Sequence, residues 1–122
     1  MGSDLNSHHL SAILVASEAI LNWQAADFIA LLKNAAIASQ LHPVGEAFAS
    51  FHPQGISAVI LLEESHVALH FWPEYQKISI DIHACDYNQN NFPKAESLAK
   101  ILTDRISPNS SASQWKYLKI SG

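Results

Sequence analysis

The sequence predicts an α+β fold: a two-layer α/β sandwich in which a mostly antiparallel sheet carries two helices on one face, in the order β-α-β-β-β-α-β. Three observations lead there. Two segments repeat apolar residues three and four apart, as amphipathic helices do. Short runs of successive or alternating apolar residues flank them, as strands do. Those runs are grouped between the helices instead of alternating with them, which favours antiparallel pairing over parallel βαβ units. The 122 residues are 48% apolar and 15% charged, the make-up of one domain, 1–122.

Residues 1–7 are polar and stand outside the fold reasoning. A first strand is expected over 8–16, where Ile13, Leu14 and Val15 end an apolar stretch, although a helix would also fit it. With Asn22 as candidate cap, Ala25, Phe28, Ile29, Leu32, Ala35 and Ala36 then define a helix to about residue 39. His42-Pro43 breaks it, 45–51 with Phe48 and Phe51 reads as a strand, and Pro53-Gln54-Gly55 is a turn. Residues 56–62 are apolar on both faces, as a central strand requires, and run without a breaker through Glu63-Glu64-Ser65-His66 to Trp72. After a turn at Pro73-Glu74-Tyr75, residues 78–85 alternate Ile78, Ile80, Ile82 and Ala84 against Ser79, Asp81, His83 and Cys85, which completes a hairpin. A polar loop at 88–91 leads to Pro93, placed for a first helical turn, and to a helix marked by Ala95, Leu98, Ala99, Ile101, Leu102 and Ile106. A loop over 108–113 and a last strand over 115–120 end the chain.

Composition also narrows function. Seven basic against eleven acidic residues give no electrostatic footprint for nucleic acid or an anionic membrane surface. Apolar runs such as 12–16 and 58–62 fall far short of the ~20 residues that span a bilayer, so a cytoplasmic location is expected. One cysteine, Cys85, excludes an internal disulfide framework and a cysteine-rich zinc site. His66 and His70 with His83 could suggest zinc, but a spacing of four suits ligands on a helix and this segment reads as strand; no metal is expected.

In the hairpin, pairing about Tyr75 sets Ser65 opposite Cys85, with His83 and Asp81 on the same polar face. His70, five residues from Ser65, would point to the other face of an ideal strand, so a bulge, a bend or a later strand start is needed to unite them. A hydroxyl, a thiol and an imidazole this close form a candidate nucleophilic cluster.

Gly55-Ile56-Ser57, then Glu64-Ser65-His66, His70, Trp72-Pro73-Glu74-Tyr75 and Asp81-Ile82-His83-Ala84-Cys85 stand at spacings that resemble the bacterial and archaeal S-adenosylmethionine decarboxylase proenzymes. The likeness is dense over 51–85, and consistent in length and element order over nearly the whole chain. It implies a chain that cuts itself between Glu64 and Ser65 into 1–64 and 65–122. Ser65 Oγ would attack the Glu64 carbonyl, the ester would be eliminated to dehydroalanine, and hydrolysis would turn residue 65 into a covalent pyruvoyl group, with no dissociable cofactor. The substrate amine would form a Schiff base with that ketone as carbon dioxide leaves. By the same resemblance His70 and Ser57 assist processing, and Cys85 returns a proton to the substrate carbon. The resemblance likewise implies that Phe51 and His70 would sandwich the adenine of S-adenosylmethionine and that Glu74 would accept hydrogen bonds from its ribose. The product would be the aminopropyl donor for spermidine synthesis. A homodimer of processed protomers is expected, because a small sheet with one open face hardly encloses a nucleoside alone.

The chain departs from the family pattern at Phe71, where Thr is usual; at His83-Ala84 and Asp86, where Phe-Thr and Gly flank the cysteine; and at Val15-Ala16-Ser17 in place of Tyr-Gly-Cys. Asp86 would add negative charge at the amino-acid end of the pocket. Two alternatives therefore stand: the same pyruvoyl chemistry on another amino acid such as arginine or ornithine, and an unprocessed homologue with a binding or regulatory role. His8, His9, His42 and His52 receive no assignment.

Overall fold

The computed structural model describes residues 4–110 and 114–122. The start of the polar N-terminal segment, 1–3, and the end of the 108–113 loop, 111–113, lie outside the described residues. The elements are β1 (Asn6–Val15), α1 (Ala25–Ala38), β2 (Pro43–Ser50), β3 (Ile56–Leu62), β4 (Ser65–Trp72), β5 (Lys77–Cys85), α2 (Phe92–Ile106) and β6 (Lys116–Ser121). All pairings are antiparallel, in the order β2-β3-β4-β5-β1-β6.

The α+β sandwich is as expected, with one strand more. Residues 56–72 form two strands instead of one: the chain reverses over Glu63-Glu64 and Leu62 pairs with Ser65, so the order is β-α-β-β-β-β-α-β. Neither Gly nor Pro marks the reversal. Distant anchors set it, among them the Glu63 N–H donating to the His42 carbonyl at 2.9 Å. The cap of α1 also differs from expectation: Gln24, not Asn22, precedes the helix, and its N–H donates to the Asp27 carboxylate at 2.8 Å. Asn91 precedes α2, whose Pro93 sits where a missing N–H costs nothing.

Strand alternation divides the sheet into two unlike faces. One presents Leu10, Leu14, Ile60, Val67, Leu69, Ile78, Ile80 and Ile82 to Phe28, Leu32, Leu98, Leu102 and Ile106 of the helices, all buried. Burying each such side chain contributes about 2 kcal/mol. α1 packs on β2 and β3, and α2 on β1 and β5. The other face carries neither helix, and Ile13, Leu61, Trp72, Leu118 and Ile120 stand on it between 45% and 63% exposed. Among the described residues no helix is long and apolar enough to cross a membrane.

Candidate active site

Along β4, Val67, Leu69 and Phe71 enter the core while His66, Ala68, His70 and Trp72 face the open side. Alternation would send Ser65 coreward, yet Cys85 shares the open side with Ser79, Asp81 and His83. One dihedral resolves the conflict. Ser65 has φ +149°, a conformation that costs a residue with a side chain about 1–3 kcal/mol. Its Oγ lies 3.3 Å from Cys85 Sγ. The predicted same-side meeting therefore holds, but the register pairs Ser65 with Ala84, one residue from the expected partner. It is Ser65, not His70, that leaves the strand's phase. The Cys85 N–H donates to the Glu64 carbonyl oxygen at 2.8 Å, so the carbonyl of the 64–65 peptide is polarised by a fixed main-chain donor.

Pairing of β1 with β5 brings Ser7 opposite Cys85 and His9 opposite His83. Ser7 Oγ is 2.8 Å from His83 Nε2 and 3.0 Å from His9 Nε2, and His83 Nε2 is 3.4 Å from Cys85 Sγ. The His9 ring stacks on His83 at 4.2 Å, and His66 meets His83 edge-on at 5.1 Å. Burial, then the neighbouring His9 and His66, push the His83 pKa below its usual 6.5, so a neutral imidazole adjoins the thiol at neutral pH. Ser7 and His9 had no assignment in the sequence, since nothing local tells residue 7 that it will meet residue 85.

Two departures from the family pattern find structural explanations. Asp86 adjoins Cys85 in sequence, but its carboxylate turns away to His8 Nε2 and the Asn91 N–H, each at 2.9 Å. Burial alone would raise its pKa; the bonds from Asn91 and His8 outweigh burial and leave it lowered. The expected negative charge at the amino-acid end is thus tied up elsewhere. Phe71 is buried and lies 5.3 Å from the Phe28 ring, a change within the core.

A second group lies further along the same open face. Ser57 and His70 are direct cross-strand partners, with Oγ and Nδ1 2.7 Å apart. They border a cleft of about 480 Å³, in the usual range for small-molecule sites, together with Phe51, Trp72 and Glu74. Gly55, at φ +108°, closes the preceding turn by accepting the Phe51 N–H at 2.8 Å, and so places that ring. Phe51, His70 and Glu74, expected at a nucleoside, thus line one cleft. They are not beside Ser65: the five steps along β4 from Ser65 to His70 span about 17 Å. The open face thus carries two separate groups, Ser57–His70 and Ser65–Cys85.

Behind the turn, the Glu64 carboxylate accepts the His42 N–H at 3.1 Å and meets His42 Nδ1 at 2.6 Å. Its side chain is 8% exposed, against 64% for Glu63. Burial would raise its pKa, and the His42 hydrogen bonds bring it below the usual carboxylate value. Ligand-type atoms of His42, Glu63 and Glu64 lie within 4.8 Å of one another, though the closest pair is already joined by a hydrogen bond.

The family model described as S-adenosylmethionine decarboxylase matches residues 8–114. The S-adenosylmethionine decarboxylase proenzyme of Sulfurihydrogenibium sp. (strain YO3AOP1) is 38% identical over 76 residues, 62% of this chain and 57% of that protein. That of Persephonella marina is 38% identical over 72 residues, 59% of this chain and 54% of that protein. The Archaeoglobus fulgidus proenzyme is 33% identical over 72 residues, 59% of this chain and 61% of that protein. The chain thus matches little more than half the length of these curated relatives. Among solved structures, the adenosylmethionine decarboxylase from Aquifex aeolicus VF5 shares the fold, with a TM-score of 0.72 over 99% of this chain and 91% of that one, at 21% identity.

Proposed function

The chain belongs to the S-adenosylmethionine decarboxylase family, and from that premise we propose that it is a self-processing, pyruvoyl-dependent decarboxylase of S-adenosylmethionine. The observation that carries the proposal is the setting of Ser65: an off-phase, strained residue whose hydroxyl leaves the core side, next to a peptide carbonyl already gripped by the Cys85 N–H. Ser65 Oγ attacks the Glu64 carbonyl carbon. The C–N bond to residue 65 breaks, and the hydroxyl proton ends on the released amine. The Cys85 N–H takes up the charge that grows on the carbonyl oxygen. Loss of the residue 65 Cα proton then breaks the Cβ–Oγ bond of residue 65 and expels the new main-chain carboxylate of residue 64, leaving dehydroalanine. Its imine tautomer adds water and releases ammonia, which makes residue 65 a pyruvoyl group heading fragment 65–122, with 1–64 as the other fragment.

The surroundings of residue 65 fit such a group. It heads a strand fixed by pairing to Ala84, with Cys85, Ser7 and His83 nearby and the Asp86 carboxylate turned away. The pyruvoyl carbonyl supplies the electron sink that pyridoxal phosphate supplies in other decarboxylases. Cys85 holds a thiol proton within reach of residue 65 and returns it to the substrate carbon, while His83 keeps the thiol oriented. Phe51 and His70 embrace the adenine, Glu74 accepts from the ribose hydroxyls, and the aromatic walls at Phe51 and Trp72 suit a cationic sulfonium. Ser57 and His70 assist processing.

Two half-sites about 17 Å apart on one open face that also exposes large apolar side chains favour a homodimer of processed protomers. Apposing two such faces removes Ile13, Leu61, Trp72, Leu118 and Ile120 from water. A two-fold axis then sets Ser65 and Cys85 of one protomer against Ser57 and His70 of its partner.

Mass spectrometry of the purified protein tests the reading. Two fragments, the second with a blocked N-terminus, are expected; one intact 13.4 kDa species after prolonged incubation overturns it. Carbon dioxide release from S-adenosylmethionine, with arginine and ornithine as competitors, tests the substrate.

A further inference from the structure

We infer that His42 is a positioning residue for self-cleavage: it clamps the Glu64 side chain and so fixes the 64–65 peptide for attack by Ser65 Oγ. This rests on the self-cleavage proposed above. The reversal at Glu63-Glu64 contains no residue that favours a tight turn, and Ser65 just after it is held at φ +149°. Something outside the hairpin has to hold that geometry.

His42 does so at three points. Its N–H donates to Glu64 Oε1 at 3.1 Å, its Nδ1 meets Glu64 Oε2 at 2.6 Å, and its carbonyl accepts the Glu63 N–H at 2.9 Å. The Cys85 N–H grips the Glu64 carbonyl from the other side. The acyl half of the scissile bond is therefore held at both its side chain and its carbonyl, while the nucleophile sits on the next residue. A carboxylate only 8% exposed needs such partners. His42 is itself anchored, between buried Leu41 and Pro43 at the head of β2. Its ring, 59% exposed, faces Glu63 and Glu64 and adds little to the core. Displacing a reacting group by about 1 Å can cost about a hundredfold in rate, so a clamp at this point acts on rate more than on stability.

The test follows cleavage of the freshly synthesised full chain into 1–64 and 65–122 by mass spectrometry over time, alongside its thermal unfolding. His42→Ala is expected to slow cleavage about tenfold or more, with a modest fall in unfolding temperature from the Glu64 carboxylate left short of one partner. His42→Asn, which keeps a side-chain donor, recovers much of the loss. Glu64→Ala slows cleavage comparably, and adding His42→Ala to it slows cleavage no further. Wild-type speed in His42→Ala, no recovery in His42→Asn, or independent effects in the double variant overturns the clamp alone. A wild-type chain that never cuts overturns the self-cleavage itself, and the role of His42 with it.

Discussion

Ser65 Oγ and Cys85 Sγ stand 3.3 Å apart although strand alternation assigns the two residues to opposite faces of the sheet. The φ of +149° at Ser65 reconciles them, at a cost that glycine would not bear. Ser65→Ala and Ser65→Gly should both leave the chain uncut. Relief of strain in the glycine variant exceeds its added unfolding entropy, so Ser65→Gly should be the more stable by about 1 kcal/mol in denaturant unfolding. A glycine variant less stable than the alanine one by about 0.5–1 kcal/mol would show that residue 65 is unstrained.

Cys85 contributes two different groups to the site. Its main-chain N–H holds the Glu64 carbonyl, and its thiol faces the Ser65 hydroxyl. Alanine keeps the first and loses the second. Cys85→Ala should therefore still be processed to two fragments, while carbon dioxide release per processed chain falls about a hundredfold, the usual worth of a positioned acid. Failure to process would mean that the thiol takes part in cleavage.

His83 departs from the family's usual Phe, and it introduces a pH dependence. Its pKa lies below 6.5, so it is neutral above that value and gains its proton only as the pH falls further. An imidazolium beside the thiol repels a cationic sulfonium substrate. The KM for S-adenosylmethionine should rise as the pH falls below 6.5 in the wild type, and rise less in His83→Gln. Matching profiles would remove His83 from substrate recognition.

The strands and helices were legible in the sequence because hydrophobic period and turn chemistry are local. The break at Glu63-Glu64 was not, because two acidic residues carry no turn signal and the reversal depends on His42, far along the chain. Ser65, Cys85, Ser57 and His70 could be named from motif spacing. Their separation into two groups along β4 could not, since it depends on strand phase and on the single dihedral at Ser65. Ser7, His9 and His8 acquire roles through the pairing of β1 with β5 and β6, contacts between opposite ends of the chain.

The turned-away Asp86 has a measurable consequence for stability. His8 is buried, with Tyr117 Oη 2.6 Å from its Nδ1 and Asp86 2.9 Å from its Nε2. Asp86→Ala strands Nε2 and should destabilise the fold by about 2 kcal/mol in denaturant unfolding at pH 7. The Asp86 pKa is lowered from 3.8, so its stabilisation is complete above that pH and disappears as the pH falls through the folded-state value. The gap between wild type and Asp86→Ala should hold at pH 5 and narrow below pH 3.8. A gap unchanged at pH 3 would mean that charge contributes nothing.

Separation of the Ser57–His70 and Ser65–Cys85 pairs along β4 allows the two-copy arrangement to be tested without a structure of the dimer. In a site shared across two protomers, Ser65→Ala and His70→Ala damage different halves. Each variant alone should be inactive. When they are mixed, a dimer of one chain of each kind has one site with both defects and one with none, because Ser65 of the His70→Ala chain meets the intact His70 of its partner. Co-expression should therefore restore cleavage of the His70→Ala chain and decarboxylation from half the sites of every mixed dimer. If each protomer used its own His70, no pairing could repair either defect, and the mixture would stay as silent as its parts.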